Sequence, residues 1–248
     1  MTTQKRALVT GGLGGIGTAI CRQLQTAGYR VAATYTHNGE RLEDWRAAQK
    51  ADGYGDFGAY HCDVSQWEDC VKLKEAIDAD WGGIDILINN AGITRDATFR
   101  KMTPTMWDEV IRVNLSGVFY VSRQFVEDMT GRGFGRVINI SSINAQKGQF
   151  GQVNYSAAKA GMHGFTKALA QEVVRKGVTV NTISPGYIAT DMINKMDESV
   201  REKIRQQIPL GRFGTPQEIA HLVCFLAGED AGFITGANFA ANGGQHMF

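Results

Sequence analysis

A short apolar run over residues 5–10 leads directly into Gly11-Gly12-Leu13-Gly14-Gly15-Ile16-Gly17. A helical pattern then runs from residue 18 to about 28, with Ile20, Leu24 and Ala27 on its apolar face. Strand, glycine turn and helix in this order commit the next strand to lie parallel to the first, because the helix must cross back over the sheet. The same order is the context a dinucleotide-binding turn requires. Glycines let the backbone come close to a pyrophosphate, and the helix N-terminus meets its charge. A ligand-free glycine turn would have the same spacing, so the rest of the chain must decide.

The alternation continues. Residues 30–35 read as a second strand and 40–51 as a helix. Residues 57–62 form a third strand ended by Asp63-Val64, and 67–81 a helix. Residues 84–88 form a fourth strand closed by Asn89-Asn90-Ala91-Gly92. Thr103 is placed to cap a long helix that starts at Pro104 and runs to about residue 131. Inside it Asn114 lies among Val110, Ile111, Val113, Leu115 and Val118, and a buried amide there must be paired. Further strands are predicted at 137–140, 178–184 (ended by Pro185-Gly186-Tyr187) and 236–241, with a helix at 218–227. The polar, mixed residues 188–215 read as a mobile insertion. The pattern predicts an α/β fold, a single doubly wound parallel sheet (Rossmann-like) with helices on both faces. It also predicts one domain over residues 1–248, with a lid at about 188–215. Ligands of such sheets bind beyond the carboxyl ends of the strands.

Two spacings add chemistry. Tyr155 and Lys159 are four apart, so on a helix they share a face. An ammonium beside a phenol favours the phenolate, which lowers the Tyr155 pKa toward a usable proton donor and acceptor. Ser142 ends the 137–140 strand thirteen residues earlier, enough for a loop and a helix start. The second strand ends Thr34-Tyr35-Thr36-His37 without the acid that holds a ribose 2′-hydroxyl in NAD sites, and Arg41 follows. A cation there fits a 2′-phosphate and points to NADPH/NADP+. An ordinary surface pair at 155 and 159, or a plain solvated Arg41, would fit the same spacings.

Bulk properties exclude other classes. Of 248 residues 43% are hydrophobic and 21% charged, with a net charge of +1. That balance supports a sizeable core and gives no field for nucleic acid or an anionic membrane. No window nears the roughly 20 apolar residues that span a bilayer. Four scattered cysteines and five scattered histidines have no metal-ligand spacing, so no metal site is expected. Free thiols suit a cytoplasmic location.

The set Thr10, Gly11, Gly15, Gly17, Asn89-Asn90-Ala91-Gly92, Asn114, Ser142, Tyr155, Lys159 and Pro185-Gly186 resembles the short-chain dehydrogenase/reductase family over essentially the whole chain. The resemblance implies a catalytic tetrad of Asn114, Ser142, Tyr155 and Lys159. Tyr155 would protonate a carbonyl oxygen, Ser142 would hydrogen-bond it, Lys159 would touch the cofactor ribose and tune Tyr155, and Asn114 would hold a water. It places the cofactor against Gly11, Gly14, Gly15, Ile16, Gly17, Arg41, Cys62, Asp63, Val64, Asn90, Ala91, Gly92, Ile93, Thr94, Pro185, Gly186 and Ile188, as well as Tyr155 and Lys159. Many NADP-preferring members have a basic residue where this chain has Gly14, so the 2′-phosphate expectation rests on Arg41. Residues 90–96, 99–102, 146–152 and 184–192 are most similar to members that reduce acetoacetyl-CoA to (R)-3-hydroxybutyryl-CoA for polyhydroxybutyrate synthesis. That match assigns Asp96, Ser142, Gln149, Phe150, Gln152, Tyr155 and Tyr187 to the acyl-CoA substrate.

Two rivals remain open. A 3-oxoacyl-(acyl-carrier-protein) reductase has nearly the same motifs and would need a basic docking patch, for which Arg95, Arg100, Lys101 and Arg132 are candidates. A non-catalytic dinucleotide sensor would have no need of all four tetrad residues. The family implies a homotetramer that pairs the helices starting near 104 and 155; Trp107, Phe119 and Phe125 are candidate contacts there, and burial within the monomer accounts for them more simply. Met162, Phe165, Leu169 and Val173 recur at helical spacing and read as core or subunit contact, and His163 as a helix residue without a site role.

Overall fold

Seven short strands form one sheet in the order β3-β2-β1-β4-β5-β6-β7, every neighbouring pair parallel. The strands are β1 (Arg6–Val9), β2 (Arg30–Tyr35), β3 (Gly58–His61), β4 (Ile86–Asn89), β5 (Gly135–Ile140), β6 (Val178–Pro185) and β7 (Asn238–Ala241). The computed structural model describes residues 4–36 and 39–247. Beyond β3 the chain crosses back to the far side of β1, so the strand order reverses between β1 and β4. The crevice at such a reversal is where doubly wound sheets bind their ligands.

The helices divide between two faces. On one lie α1 (Gly15–Thr26), α2 (Gly39–Ala51) and α10 (Pro216–Ala227). On the other lie α3 (Trp67–Trp81), α5 (Gly117–Arg132) and α7 (Val153–Val173). Strand side chains alternate between the two cores, as a period of two requires. Ala7, Val9, Ile86 and Ile88 meet Ile20, Leu24 and Val223 on the first face. Leu8, Leu87 and Val137 meet Leu73, Phe125 and Met129 on the second. Burial on both faces explains why the central strands read as unbroken apolar runs.

Local signals account for several boundaries. The Thr103 hydroxyl accepts from Met106 N at 3.2 Å, with Pro104 at the first position of α4 (Pro104–Ile111). A π turn, Arg112–Ser116, then joins α4 to α5, so the long helix predicted from residue 104 contains one wide turn at Asn114. Thr215 and Glu218 make a capping box that starts α10 at Pro216, two residues before the predicted start. Residues 188–215 are not plain loop. They hold α8 (Asp191–Asn194) and α9 (Glu198–Gln206), following the short α6 (Asn144–Lys147) earlier in the chain.

At the amino edge of the sheet, Arg6 grips Asp85. Arg6 N and Nε donate to Asp85 Oδ2 at 2.9 and 3.1 Å, and Nη2 donates to Oδ1 at 3.1 Å. Burial alone would raise the Asp85 pKa, but the Arg6 bonds and the charges of Arg6 and Arg132 bring it below the ordinary value. A lowered folded pKa contributes stability that is complete above the unfolded pKa of about 4 and is lost as the pH falls through the folded value. Asp85→Asn is expected to cost about 2–3 kcal/mol at pH 7. In urea titrations the difference from the parent should shrink as the pH falls below about 4; a gap of constant size would contradict the pairing.

Candidate active site

The first loop of the crevice is shaped by close backbone contacts. Gly11 has φ +61°, and a Cβ there would lie 3.0 Å from Ala91 Cα. A Cβ on Gly17 would fall 2.4 Å from Gly11 O. Both positions exclude larger residues. Gly14 precedes α1 without a side-chain cap, which leaves the first amides of the helix open to an anion. Unlike its neighbours, Gly14 has room for a side chain, since its nearest atom is Gly11 O at 3.5 Å. The Thr10 hydroxyl accepts from Asn90 N and Ala91 N at 2.9 and 3.0 Å, and Asn90 Nδ2 donates to the Thr10 and Gly11 carbonyls. These bonds lock the ends of β1 and β4 together. The amide nitrogen of Asn90 is thus committed to the protein, and both of its hydrogens are used.

Asn114 enters from the π turn and is fully buried. Its Oδ1 accepts from Ile93 N and its Nδ2 donates to Ile93 O, both at 2.8 Å. The amide therefore holds the loop 90–94. A Cβ on Gly92 would lie 3.1 Å from Asn114 Oδ1 and 3.4 Å from Lys159 Nζ, so glycine keeps a cradle open beside both. The uncapped helix, the glycine contacts and this cradle fit a nicotinamide dinucleotide.

Ser142, just past β5, accepts from Asn144 N at 3.1 Å, and its hydroxyl stands close enough to Tyr155 on α7 to favour the phenolate. Lys159, one turn on, has Nζ 5.7 Å from the Tyr155 ring centre and donates to Ile140 O at 2.8 Å. Burial lowers the Lys159 pKa to about 7. The Tyr155 pKa is raised, first by burial; the Ser142 hydroxyl lowers it and the Asp96 charge raises it. This reverses the expected depression. Burial penalises both charged forms, and an amine that is itself desolvated supplies little positive charge to counter it.

The predicted substrate residues are brought together in part. Gln152 Nε2 donates to Asp96 Oδ2 at 2.8 Å, and the Asp96 charge also reaches Tyr187, whose pKa is raised first by burial. Gln149 Oε1 accepts from Lys147, and Phe150 is 85% exposed. On the cofactor side, the Cys62 thiol turns inward to Cys70, and that contact and burial push its pKa up. Val64 packs against Gly117, where a Cβ would lie 2.9 Å away, and Asp63 Oδ1 caps Ser65 N. Cys62 and Val64 can therefore face the crevice mainly through their backbone, whereas Asp63 is half-buried with one carboxylate oxygen outside that bond. Arg41 is exposed in the first turn of α2, and it makes no ion pair among the described residues. His37 and the Glu40 side chain lie outside the described residues. Pro185 and Ile188 are buried at the end of β6, and Gly186 packs on Asn242. A cavity of about 270 Å³ lies behind Tyr187 and Ile188, against Ile208, Leu210 and Asn242. None of the tetrad lines it.

Three further placements bear on the sequence reading. Arg132 bonds Ile84 O and lies 3.7 Å from Asp85, at the opposite edge of the sheet from the crevice. It cannot join a patch at the mouth. Phe125 is 1% exposed and belongs to the core, whereas Trp107 and Phe119 stay exposed. His163 is half-buried and packed, a helix residue without a site role as expected: its Nε2 lies 3.1 Å from Ser141 Oγ and 3.3 Å from Ser184 Oγ. Those hydroxyls already donate to Lys159 O and Asn238 Oδ1, so the single N–H on this ring nitrogen is shared between them. The sequence reading also passed over Asn154, whose Oδ1 accepts from Tyr155 N while Nδ2 donates to Arg95 O and Met106 O. Its position just before Tyr155 was the available signal.

A family model described as Enoyl-(Acyl carrier protein) reductase matches residues 11–246. The chain is 54% identical to an acetoacetyl-CoA reductase of Cupriavidus necator over 99% of both chains. It is 56% identical to an acetoacetyl-CoA reductase of Rhizobium meliloti, covering 97% of this chain and 98% of that one. A 3-oxoacyl-(acyl-carrier-protein) reductase of Aquifex aeolicus is 45% identical over 97% of each. With this crevice, this strand order and these full-length matches, the chain belongs to the short-chain dehydrogenase/reductase family.

Proposed function

We propose that this enzyme reduces the 3-keto group of acetoacetyl-CoA to (R)-3-hydroxybutyryl-CoA with NADPH, supplying a precursor for polyhydroxybutyrate. The observation that carries the reading is the meeting of Ser142, Tyr155 and Lys159 beside the cradle at Gly92, in a chain more than half identical to acetoacetyl-CoA reductases. The cofactor, when bound, supplies a hydride to the carbonyl carbon. Gly11 and Gly15 to Gly17 would bring backbone amides to its pyrophosphate, and Asn90 to Thr94 would line its ribose. Arg41 would meet the 2′-phosphate, supported by the lack of an acid at Thr34-Tyr35-Thr36.

Ser142 fixes the ketone oxygen, and Tyr155 gives that oxygen its proton. A phenol pKa raised by burial keeps the proton in place until negative charge develops on the oxygen. The phenolate left behind draws Lys159 toward its ammonium form. Asn114 holds Ile93 and so the wall of the cradle. Asp96, Gln149, Phe150, Gln152 and Tyr187 would line the acyl and pantetheine path.

The whole chain, 1–248, is one domain in this reading, and residues 188–215 close over the acyl group. The amphipathic α9, with Val200 exposed and no residue buried, supports closure. A homotetramer is supported by exposed Trp67 and Phe119, stacked with ring centres 6.4 Å apart. Four free cysteines and the lack of any helix, among the described residues, long and apolar enough to cross a membrane are in keeping with a cytoplasmic enzyme.

Steady-state assays should give the highest kcat/KM for acetoacetyl-CoA with NADPH. Preference for the acetoacetyl carrier protein would move the enzyme to fatty-acid synthesis, and no turnover of either would sink the reading. Arg41→Ala should raise the KM for NADPH about tenfold or more and change that for NADH little; equal changes would refute the 2′-phosphate contact. Tyr155→Phe should abolish turnover and spare NADPH binding. Lys159 makes a separate thermodynamic prediction. Its folded pKa near 7 lies below the unfolded value of about 10.4, so the unfolded chain binds more protons between them and stability rises with pH across that window. The stability of Lys159→Met relative to the parent should therefore be greatest near pH 7 and decline toward pH 10. A difference flat in pH would show that the amine is not desolvated.

A further inference from the structure

Asn154 comes just before the acid in the chain and is fully buried in the first turn of α7. Its amide has one possible orientation. Nδ2 donates to two carbonyls, Arg95 O at 3.1 Å and Met106 O at 3.0 Å, and a carbonyl can only accept. Oδ1 accepts from Tyr155 N at 2.8 Å, one of the amides that a helix start leaves without a partner. One side chain thus joins the backbone of Tyr155, the loop after β4, and α4. Taking Tyr155 as the acid of the reduction proposed above, we infer that Asn154 is a positioning residue for proton transfer, which holds the Asp96 carboxylate at a fixed place beside the Tyr155 phenol.

Three consecutive residues of that loop are tied to the start of α7. Arg95 O accepts from Asn154 Nδ2, Asp96 Oδ2 accepts from Gln152 Nε2 at 2.8 Å, and Ala97 N donates to Gly151 O at 2.9 Å. The Gln152 bond is exposed, so water competes for it and it fixes little by itself. Asn154 is closed to water, and Arg95 O has no other donor among the described residues. Without Asn154 that carbonyl must turn outward to find water. Asp96 is the next residue and moves with it. Met106 O keeps its place in α4, so the loop is the part that gives way.

What Asp96 does from this place is electrostatic. The charged and titratable groups around the phenol come from three elements: Lys159 on α7 itself, Asp96 after β4, and Tyr187 after β6, which feels the same carboxylate. Arg95 and Glu109 are exposed and pair with each other at 2.6 Å. A carboxylate disfavours a second negative charge nearby, so Asp96 keeps the proton on Tyr155 until a ketone oxygen takes it. Moved into water, the same carboxylate is screened and its hold on that proton weakens.

The test uses the full-length enzyme and two readouts of the same proton. One is the pH dependence of kcat for acetoacetyl-CoA reduction. The other is an ultraviolet titration of the Tyr155 phenolate, taken as the difference between each protein and its Tyr155→Phe counterpart. Asn154→Ala should lower kcat about tenfold, leave the KM for NADPH unchanged, and move both the alkaline limb of kcat and the phenolate titration to lower pH. Asn154→Ser, whose single hydroxyl cannot serve both carbonyls, should move them the same way, and it decides the matter if the alanine variant does not fold. In an Asp96→Asn background neither substitution should move them further, because the charge is already gone. A limb and a titration at the parent's pH in these variants would overturn the positioning role. So would a shift of equal size with the Asp96 charge removed, which would show that Asn154 acts through another group. If the parent reduced neither acetoacetyl-CoA nor the acetoacetyl carrier protein, the proposed function would fail, and the phenolate titration would still decide between these outcomes for Asn154.

Discussion

A buried amine without a carboxylate beside it is costly, and the site is built around one. Lys159 is 3% exposed, and its Nζ leans on the Ile140 carbonyl at 2.8 Å and on Met162 Sδ at 3.9 Å. A carbonyl offers part of a charge, so desolvation prevails and the amine comes close to half-neutral at physiological pH. Such a group stays in place only if its surroundings are fixed. The same residue's carbonyl accepts from Ser141, and His163 bonds Ser141 and Ser184 together. Helix α7 is thus fastened to the ends of β5 and β6 on both sides of Lys159. Asn154 fastens its first turn to the loop at Arg95 and to α4.

Polar side chains do the same for the crevice. Thr10 joins β1 to the loop after β4, and Asn114 holds that loop from below. Deeper in the sheet, Asn89 donates to Asn139, Asn139 to Thr166, and Thr166 meets Thr182, a buried chain of bonds from β4 through β5 and α7 to β6. Each member is satisfied by the next, so the chain sets strand spacing and helix depth without leaving an orphaned group. Apolar packing alone tolerates sliding; directional bonds at these strand ends do not. The crevice is therefore shaped before any ligand arrives, which is what positioning and electrostatic stabilisation need.

Much of this was legible in the sequence because its signals are local. The glycine turn, the Thr103–Pro104 helix start and the i,i+4 spacing of Tyr155 and Lys159 need no partner from elsewhere in the chain. The alternation of strands and helices gave the sheet. What stayed hidden depends on contacts distant in sequence or on side-chain direction. Cys62 ends a strand beside the crevice, yet its thiol faces Cys70 in the core. Arg132 is the last residue of α5, which carries it to Ile84 and Asp85 at the start of β4 rather than to the mouth. The wide turn at Asn114 has no residue signature, and α9 is mostly charged, so a polar composition hid a helix. The direction of the Tyr155 pKa needed the burial of both partners, which spacing does not report.

That direction bears on the chemistry. Burial moves the phenol up and the amine down, so the resting pair is favoured with Tyr155 protonated and Lys159 shared between its neutral and charged forms. Protonation of a ketone oxygen needs a donor that has kept its proton, so the resting electrostatics suit reduction. Once the proton leaves, a phenolate whose ring centre lies 5.7 Å from Lys159 Nζ faces an amine that a proton can now charge at little cost. The two titrations are coupled, and the macroscopic pKa values belong to the pair rather than to either residue. Asp96 adds to this from the substrate side, because its charge raises Tyr155 and Tyr187 together. A change at Asp96 would then act on proton transfer as well as on binding, which makes the substrate wall part of the acid's tuning.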